Sequence, residues 1–282
     1  MARVPHRRAA EPPGFWFTLA ALVLRPPLTA AASREWAGAE NIPASGGVLL
    51  CTNHISYLDP LTFAHFVYDR GRLPRILAKQ TLWDVPLLGR VLDATGQIPV
   101  ARESGDAASA YDAAVAAVRA GRAVVIYPEG TITRDPQLWP MAGKTGAARV
   151  ALATGAPVIP VAQWGVADIL APYARRPRLW PRARVVVHAG PPVDLSRFAG
   201  LEPTERVLRE ATEEILDAIT SLLAEIRAEP APRQRYDPRT TGVARTGNPS
   251  RPDGVWFVRM WRAVHHPGRP RGPRHPPHPP KA

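Results

Sequence analysis

The sequence predicts a single α/β domain with sheet strands covered by helices. From residue 46 onward, short apolar runs alternate with amphipathic or alanine-rich segments, a pattern typical of this fold class. The 282 residues suffice for one sizeable core, and a hydrophobic content of 45% is ordinary for a globular protein. Both ends differ from the centre in composition. We therefore expect a domain at 36–229 with a separate segment on each side.

The elements of the domain follow from periodicity and from the residues that end each run. Six apolar or β-branched runs are predicted to form strands: Val48–Cys51, Arg75–Lys79, Ile98–Ala101, Ala123–Tyr127, Val158–Ala162 and Arg184–His188. Helices are predicted at Pro60–Tyr68, at Ala107–Ala120 before Gly121, and at Thr145–Thr154 before Gly155. A long closing helix carries one apolar face: Val207, Ala211, Ile215, Ile219, Leu222 and Ile226.

The first segment, 1–35, is predicted to lie at a membrane surface. A basic start precedes the apolar run Phe15–Leu24, which Arg25-Pro26-Pro27 stops. Because a spanning helix needs about 20 apolar residues, this run is expected to form a short interfacial helix. The same features imitate a secretory signal peptide, but the run is interrupted before any cleavage site.

The last segment, 230–282, is predicted to be a disordered tail. It contains 12 prolines and few aliphatic residues, so burial cannot offset its ordering entropy. The aromatic and basic patch Val255–Arg262 is either a membrane contact or a chance apolar island. No metal site is predicted, because proline-rich spacing fixes no coordination geometry for the histidines at 265, 266, 275 and 278.

The charge of the chain lies at its ends. Of the net charge of +12, residues 230–282 contribute 11 basic and 2 acidic side chains, and residues 1–8 contribute three arginines, so the domain between them is neutral. Basic ends suit an anionic membrane surface, and they also suit nucleic acid. No nucleic-acid partner is expected, because no nucleic-acid-binding signature accompanies the charge. Between Tyr173 and Arg184, five arginines surround aromatic residues; this segment suits anionic lipid, coenzyme A phosphates or a solvated loop.

The stretch from Asn53 to Asp59 carries the chemistry. It follows the strand that ends at Cys51, where α/β proteins expose reactive groups. In the spacing His-x4-Asp, Asp59 can orient His54 so that the imidazole takes a proton from a hydroxyl. A core histidine beside a turn aspartate is the structural alternative. Cys51 is the single cysteine and is expected to be a buried hydrophobe rather than a nucleophile.

Three further motifs follow in order: Gly96-Gln97-Ile98-Pro99-Val100-Ala101-Arg102, Tyr127-Pro128-Glu129-Gly130-Thr131 and Val158-Ile159-Pro160-Val161. With Asn53-His54-x4-Asp59 they make the chain resemble the glycerolipid acyltransferases of the lysophosphatidate acyltransferase type, over about residues 36 to 225. The resemblance implies a central mixed sheet flanked by helices. It also implies His54 and Asp59 as the catalytic pair, with Asn53, Arg102, Glu129, Gly130 and Thr131 binding substrate.

The motif Tyr127–Thr131 departs from the family pattern, because it is followed by Ile132 where the family usually has an arginine. Arg134 or Lys144 is expected to supply the missing cation for the acceptor phosphate. Lys144 opens a predicted helix, whose N–H groups already favour phosphate.

The implied function is transfer of a fatty acyl chain from acyl-CoA or acyl-carrier protein to lysophosphatidate, with no bound cofactor. Such an enzyme is expected at the cytoplasmic face of the cell membrane, as a peripheral or monotopic protein. The alternatives are another lysolipid or glycolipid acceptor, a thioester hydrolase that uses His54 to activate water, and a non-catalytic protein that binds a lipid surface.

Overall fold

A computed structural model describes residues 11–101 and 107–241. Within them the strands are β1 (Ala32–Ala37), β2 (Val48–Thr52), β3 (Pro74–Lys79), β4 (Ile98–Val100), β5 (Ala123–Ile126), β6 (Val158–Trp164) and β7 (Ala183–Ala189). The helices are α1 (Gly14–Ala31), α2 (Asp59–Asp69), α3 (Pro86–Ala94), α4 (Ala107–Arg119), α5 (Gly146–Thr154), α6 (Val166–Ile169) and α7 (Glu205–Arg227). Every predicted strand and helix of the domain is present.

The strands form one mixed sheet in the order β1-β7-β6-β2-β5-β3-β4. β6, β2, β5, β3 and β4 are parallel, whereas β7 pairs antiparallel with β6 and parallel with β1. β2 is fully buried at the centre, which explains its unbroken apolar sequence. The α/β class and the mixed sheet are therefore confirmed.

Two hydrophobic clusters lie on the two faces of the sheet, because successive side chains of β2 point in opposite directions. Leu50 packs with Phe63 and Phe66 of α2. Leu49 and Cys51 pack with α4, α5 and α7 instead. Cys51 is completely buried, and burial raises the pKa of its thiol to about 12, so the expectation of an inert core cysteine agrees with its surroundings.

The predicted stop at Arg25-Pro26-Pro27 is wrong, because α1 runs through both prolines to Ala31. Tertiary contacts stabilise the second half of the helix. Arg25 pairs with Asp69 of α2 at 2.6 Å, and Arg182 Nη2 donates to the carbonyl oxygens of Thr29 and Ala32 at 2.9 Å. In the part of the chain that the structure describes, α1 is the helix whose length and apolar composition would suffice to cross a membrane.

The start of the last segment also differs from the predicted disorder. Arg235 pairs with Glu213 and Asp217 of α7 at 2.5 Å, and the Tyr236 carbonyl accepts from the N–H of Ala142 at 2.8 Å. Residues 230–241 therefore lie against the domain. The remainder of the predicted tail, including Val255–Arg262, lies outside the described residues.

Candidate active site

The central strands bring two of the sequence motifs together. β2 and β5 are parallel neighbours, with Cys51 opposite Ile126, so both strands end at the same edge of the sheet. Asn53 and His54 follow β2, and the turn from Tyr127 to Thr131 follows β5. The edge where parallel strands end is the usual place for a ligand site in α/β sheets.

His54 and Asp59 form the predicted pair. His54 Nδ1 lies 2.8 Å from Asp59 Oδ2, and the same oxygen accepts from the N–H groups of Ile55 at 2.5 Å and Ser56 at 2.7 Å. Asp59 is completely buried at the start of α2, and His54 retains 14% exposure. Because the carboxylate accepts a hydrogen bond from Nδ1–H, Nε2 is the basic nitrogen. His54 lines a cavity, so the alternative of a core histidine is wrong.

Glu129 holds the backbone of His54. Its Oε1 accepts from the His54 N–H at 2.9 Å, and its Oε2 accepts from the Met141 N–H at 3.1 Å. The side chain is buried, and burial raises its pKa to about 8 although both hydrogen bonds favour the charged form. The prediction that Glu129 contacts substrate is not what the structure shows. The carboxylate faces inward and joins the His54 motif to the loop that contains Met141.

Asn53 was predicted to bind substrate, and the structure shows its side-chain amide paired with the backbone of Gln163. Its amide donates to the Gln163 carbonyl at 2.9 Å and accepts from the Gln163 N–H at 2.8 Å. Both polar atoms of the buried side chain are used in this pair. Asn53 therefore extends the contact between β2 and β6 by one residue and fixes the start of the loop that carries His54.

A cavity of about 1090 Å³ opens in front of His54. Helices α1, α2 and α3 line it with apolar side chains: Phe17, Ala20, Leu24, Leu28, Leu61, Leu88, Val91 and Leu92. Polar and cationic side chains line it as well: Thr131, Lys79, Lys144 and Arg149. The arrangement suits an amphiphile with a long apolar part and an anionic head.

The structure separates the two cations that were expected to replace the missing arginine. Lys144 lines the cavity and packs over Gly130, where a Cβ atom would lie 3.1 Å from the lysine Cδ and Cε. Gly130 also has φ +69°, which favours glycine. Arg134 is buried behind this surface: its guanidinium stacks on the Tyr173 ring at 4.9 Å and donates to the Tyr173 hydroxyl. Its predicted role in phosphate binding does not fit this position.

Lys79 and Arg149 were not predicted as site residues. Lys79 is the last residue of β3, and Arg149 lies in the first turn of α5. The position of Lys79 at a strand end was a usable signal, whereas nothing in the sequence placed Arg149 at the cavity. Arg102, the third predicted cation, lies outside the described residues.

The site and the fold together define a class. An α/β sheet that presents a buried His–Asp pair at the mouth of a long apolar cavity is suited to acyl-group chemistry. Residues 33–164 match the model of the family described as Acyltransferase. Over these residues the chain is similar to that family, and its four ordered motifs resemble those of the lysophosphatidate acyltransferases.

The chain is similar to several proteins named 1-acyl-sn-glycerol-3-phosphate acyltransferase. It is 39% identical to the protein of Borreliella burgdorferi over 127 residues, which cover 44% of this chain and 48% of that protein. It is 29% identical to the protein of Salmonella typhimurium over 204 residues, which cover 71% of this chain and 76% of that protein. Against the relatives from Borreliella burgdorferi, Brassica napus and Arabidopsis thaliana, the chain spans less than half of their length.

The fold resembles a solved structure, the 1-acyl-sn-glycerophosphate (LPA) acyltransferase PlsC from Thermotoga maritima. The TM-score is 0.55 at 20% identity, covering 76% of this chain and 84% of that one. This likeness confirms the fold.

Proposed function

We propose that the protein is an O-acyltransferase that moves a fatty acyl chain from acyl-CoA or acyl-carrier protein to the free hydroxyl of lysophosphatidate, giving phosphatidate. The observation that carries the proposal is the His54–Asp59 pair at the mouth of the apolar cavity. The names of the similar proteins support the same acceptor.

The chemistry follows from the pair. The acceptor hydroxyl attacks the thioester carbonyl carbon while His54 Nε2 takes its proton, and the Asp59 carboxylate stabilises the imidazolium. The tetrahedral intermediate then collapses, the C–S bond breaks, and the imidazolium returns its proton to the departing thiolate. A thiol with a pKa of about 8.5 is a good leaving group, so direct transfer needs no enzyme nucleophile. The proposed reaction uses no bound cofactor or metal.

The cavity supplies the binding groups. Its apolar part, between α1, α2 and α3, would hold an acyl chain. Lys144, just before α5, would bind the acceptor phosphate together with Arg149 and the N–H groups of the first turn of α5. Thr131 lines the cavity close to these groups and would contact the polar part of the acceptor.

The location proposed for the enzyme is the cytoplasmic face of the cell membrane, where both acyl donors are available. One side of α1 lines the cavity, while Phe15 and Leu22 are 71% and 70% exposed. A helix with one side on the domain and an exposed apolar side suits a position in the membrane interface, with the protein attached as a peripheral or monotopic enzyme.

A second acceptor class is supported by one observation. Ile132 replaces the arginine of the family pattern, and the neighbouring Arg134 is buried against Tyr173. A lysolipid or glycolipid with a different headgroup is therefore the alternative acceptor.

The test is transfer of labelled oleoyl from its CoA thioester to lysophosphatidate in neutral detergent micelles. Wild type, His54→Ala and the matched control His188→Ala, a histidine of β7 outside the cavity, are compared. Phosphatidate formed by wild type and the control but not by His54→Ala supports the proposal. If product forms only with another lysolipid, that lysolipid is the acceptor. Release of thiol without an acceptor indicates a hydrolase. No turnover of any thioester supports the lipid-binding alternative.

A further inference from the structure

The exposed side of α1 adjoins a second exposed apolar element. In the loop before β7, Trp180 is 80% exposed and Leu179 is 59% exposed. Arg182, two residues later, donates to the carbonyl oxygens of Thr29 and Ala32 and so fixes this loop beside the end of α1. An exposed tryptophan next to an apolar helix is typical of a surface that rests in a membrane interface.

An open groove of about 760 Å³ lies along α1 at this surface, and three arginines line it: Arg25, Arg34 and Arg182. Asp69 is the carboxylate that meets them, at 2.6 Å from Arg25 and 3.7 Å from Arg34. Among the described residues that line the groove or pair with its arginines, three guanidinium groups and one carboxylate give a charge of about +2. The hydroxyl-bearing residues Thr18 and Thr29 line the same groove.

His65 contacts two of these arginines and, being neutral, does not change the net charge of the cluster. Arg25 Nε donates to His65 Nε2 at 3.0 Å, and Arg34 Nη1 lies 2.9 Å from the same nitrogen. A nitrogen that faces two guanidinium donors must be an acceptor, so the ring is neutral. Burial and the two arginines lower the pKa of His65 to about 3, in agreement with this geometry.

We propose that the groove lined by Arg25, Arg34 and Arg182 binds the phosphate of an anionic phospholipid in the bilayer on which α1 and Trp180 rest. This inference depends on the membrane location proposed above and adds a specific headgroup site to it. Guanidinium forks match the oxygens of a phosphate, and the exposed apolar residues on both sides place that phosphate at headgroup depth. Arg25, Ala21 and Tyr68 line both the groove and the cavity, whereas Arg34 and Arg182 line only the groove and His54, Lys144 and Arg149 only the cavity.

The test measures cosedimentation of the full chain with phosphatidylcholine vesicles, with and without one third phosphatidylglycerol. The variant Arg34→Gln/Arg182→Gln is compared with Arg206→Gln/Arg209→Gln, which removes two exposed arginines of α7. A contribution of about 1 kcal/mol per arginine corresponds to about fivefold in affinity, so the groove variant should bind anionic vesicles about 30-fold more weakly. The control should change little, and binding to neutral vesicles should be equal for both. Equal weakening of both variants, or wild-type binding that ignores the anionic lipid, would overturn the proposal.

Three further arms keep the test decisive. Inorganic phosphate and glycerol 3-phosphate are titrated into the wild type and the groove variant without vesicles, at constant ionic strength; micromolar binding of either that the groove variant loses would identify a soluble ligand and refute the lipid site. Trp180→Ser, at a highly exposed position, should weaken binding to both vesicle types. Acylation of lysophosphatidate in neutral micelles should be unchanged in the groove variant. If the wild type prefers anionic vesicles but does not acylate lysophosphatidate, the proposed reaction is refuted and the proposed lipid site in the groove still stands.

Discussion

The backbone N–H of His54 donates to Oε1 of Glu129 at 2.9 Å across 75 residues of sequence. The other carboxylate oxygen holds the N–H of Met141, so one buried side chain ties the loop after β2 to the segment after β5. Glu129 therefore positions the backbone of His54, the proposed general base.

Glu129→Gln should lower kcat about tenfold or more while KM for lysophosphatidate stays nearly constant. The amide –NH2 must face one of the two N–H donors, which breaks a buried hydrogen bond worth about 1–3 kcal/mol and displaces His54. Steady-state kinetics measure both constants, with the exposed Glu202→Gln as control. An increase in KM at constant kcat would instead assign Glu129 to substrate binding.

Asp59→Asn should lower kcat by about 100-fold or more. General-base catalysis accelerates such reactions by about 10²–10⁴-fold, and in the variant the imidazolium loses its counter-charge. The substitution changes charge more than shape. The amide oxygen can replace Oδ2, and the –NH2 takes the place of Oδ1, which has no hydrogen-bond partner in the described part of the chain. Pre-steady-state acyl transfer measures the step. Retention of more than half of the wild-type rate would exclude the dyad mechanism.

Asn53→Ala should lower stability and leave KM unchanged. The substitution leaves the Gln163 N–H and carbonyl without their partner, at a cost of about 2–3 kcal/mol for the two hydrogen bonds. Urea unfolding followed by circular dichroism measures the change. A raised KM with unaltered unfolding would restore the substrate-binding role predicted from the sequence.

Lys144→Gln should raise KM for lysophosphatidate about tenfold or more, because a charge-assisted hydrogen bond to phosphate contributes about 1.5–3 kcal/mol. Arg206→Gln on the exposed side of α7 is the matched control. The effect should vanish with an uncharged monoacylglycerol acceptor. An equal loss with both acceptors would show that Lys144 supports the Gly130 turn and does not bind phosphate.

The contribution of His65 to stability should fall as the pH is lowered from about 6.5 towards 3, and above about pH 4.5 it is opposed by Glu129, whose folded pKa is about 8. The folded pKa of His65 is about 3, whereas the unfolded value is about 6.5. In this window the unfolded chain binds a proton that the folded chain does not, at a cost of at most about 1.4 kcal/mol per pH unit. Between pH 7 and pH 5, urea unfolding should show that His65→Gln, whose side chain stays neutral, loses less stability or gains more than the wild type. Identical slopes would contradict this assignment.

The motif residues themselves could be read from the chain. The spacing of His54 and Asp59 fits one strand end followed by one helix start, and such local geometry is set by neighbouring residues. Six of the seven described strands and four of the helices were predictable for the same reason, because each carries its own apolar period, whereas β1 and α6 were not predicted. α3 was missed: its nine residues make a short, partly exposed helix in which Gly89 is the single buried position.

Distant contacts decided the rest. Glu129 and Asn53 looked like substrate ligands, and only the packing of β2 between β5 and β6 directs their polar atoms to the backbone of His54 and Gln163. In the sequence, Arg134 and Lys144 were equivalent candidates for the missing cation. In the structure, Arg134 stacks on Tyr173 and only Lys144 lines the cavity. Helix α1 continues past its two prolines because Asp69 and Arg182, which are distant in sequence, form contacts with its second half. Sequence by itself determined which chemical groups the protein carries and their local order. The tertiary structure decided which of them face the cavity, because burial and hydrogen-bond partners depend on residues that the chain brings together from afar.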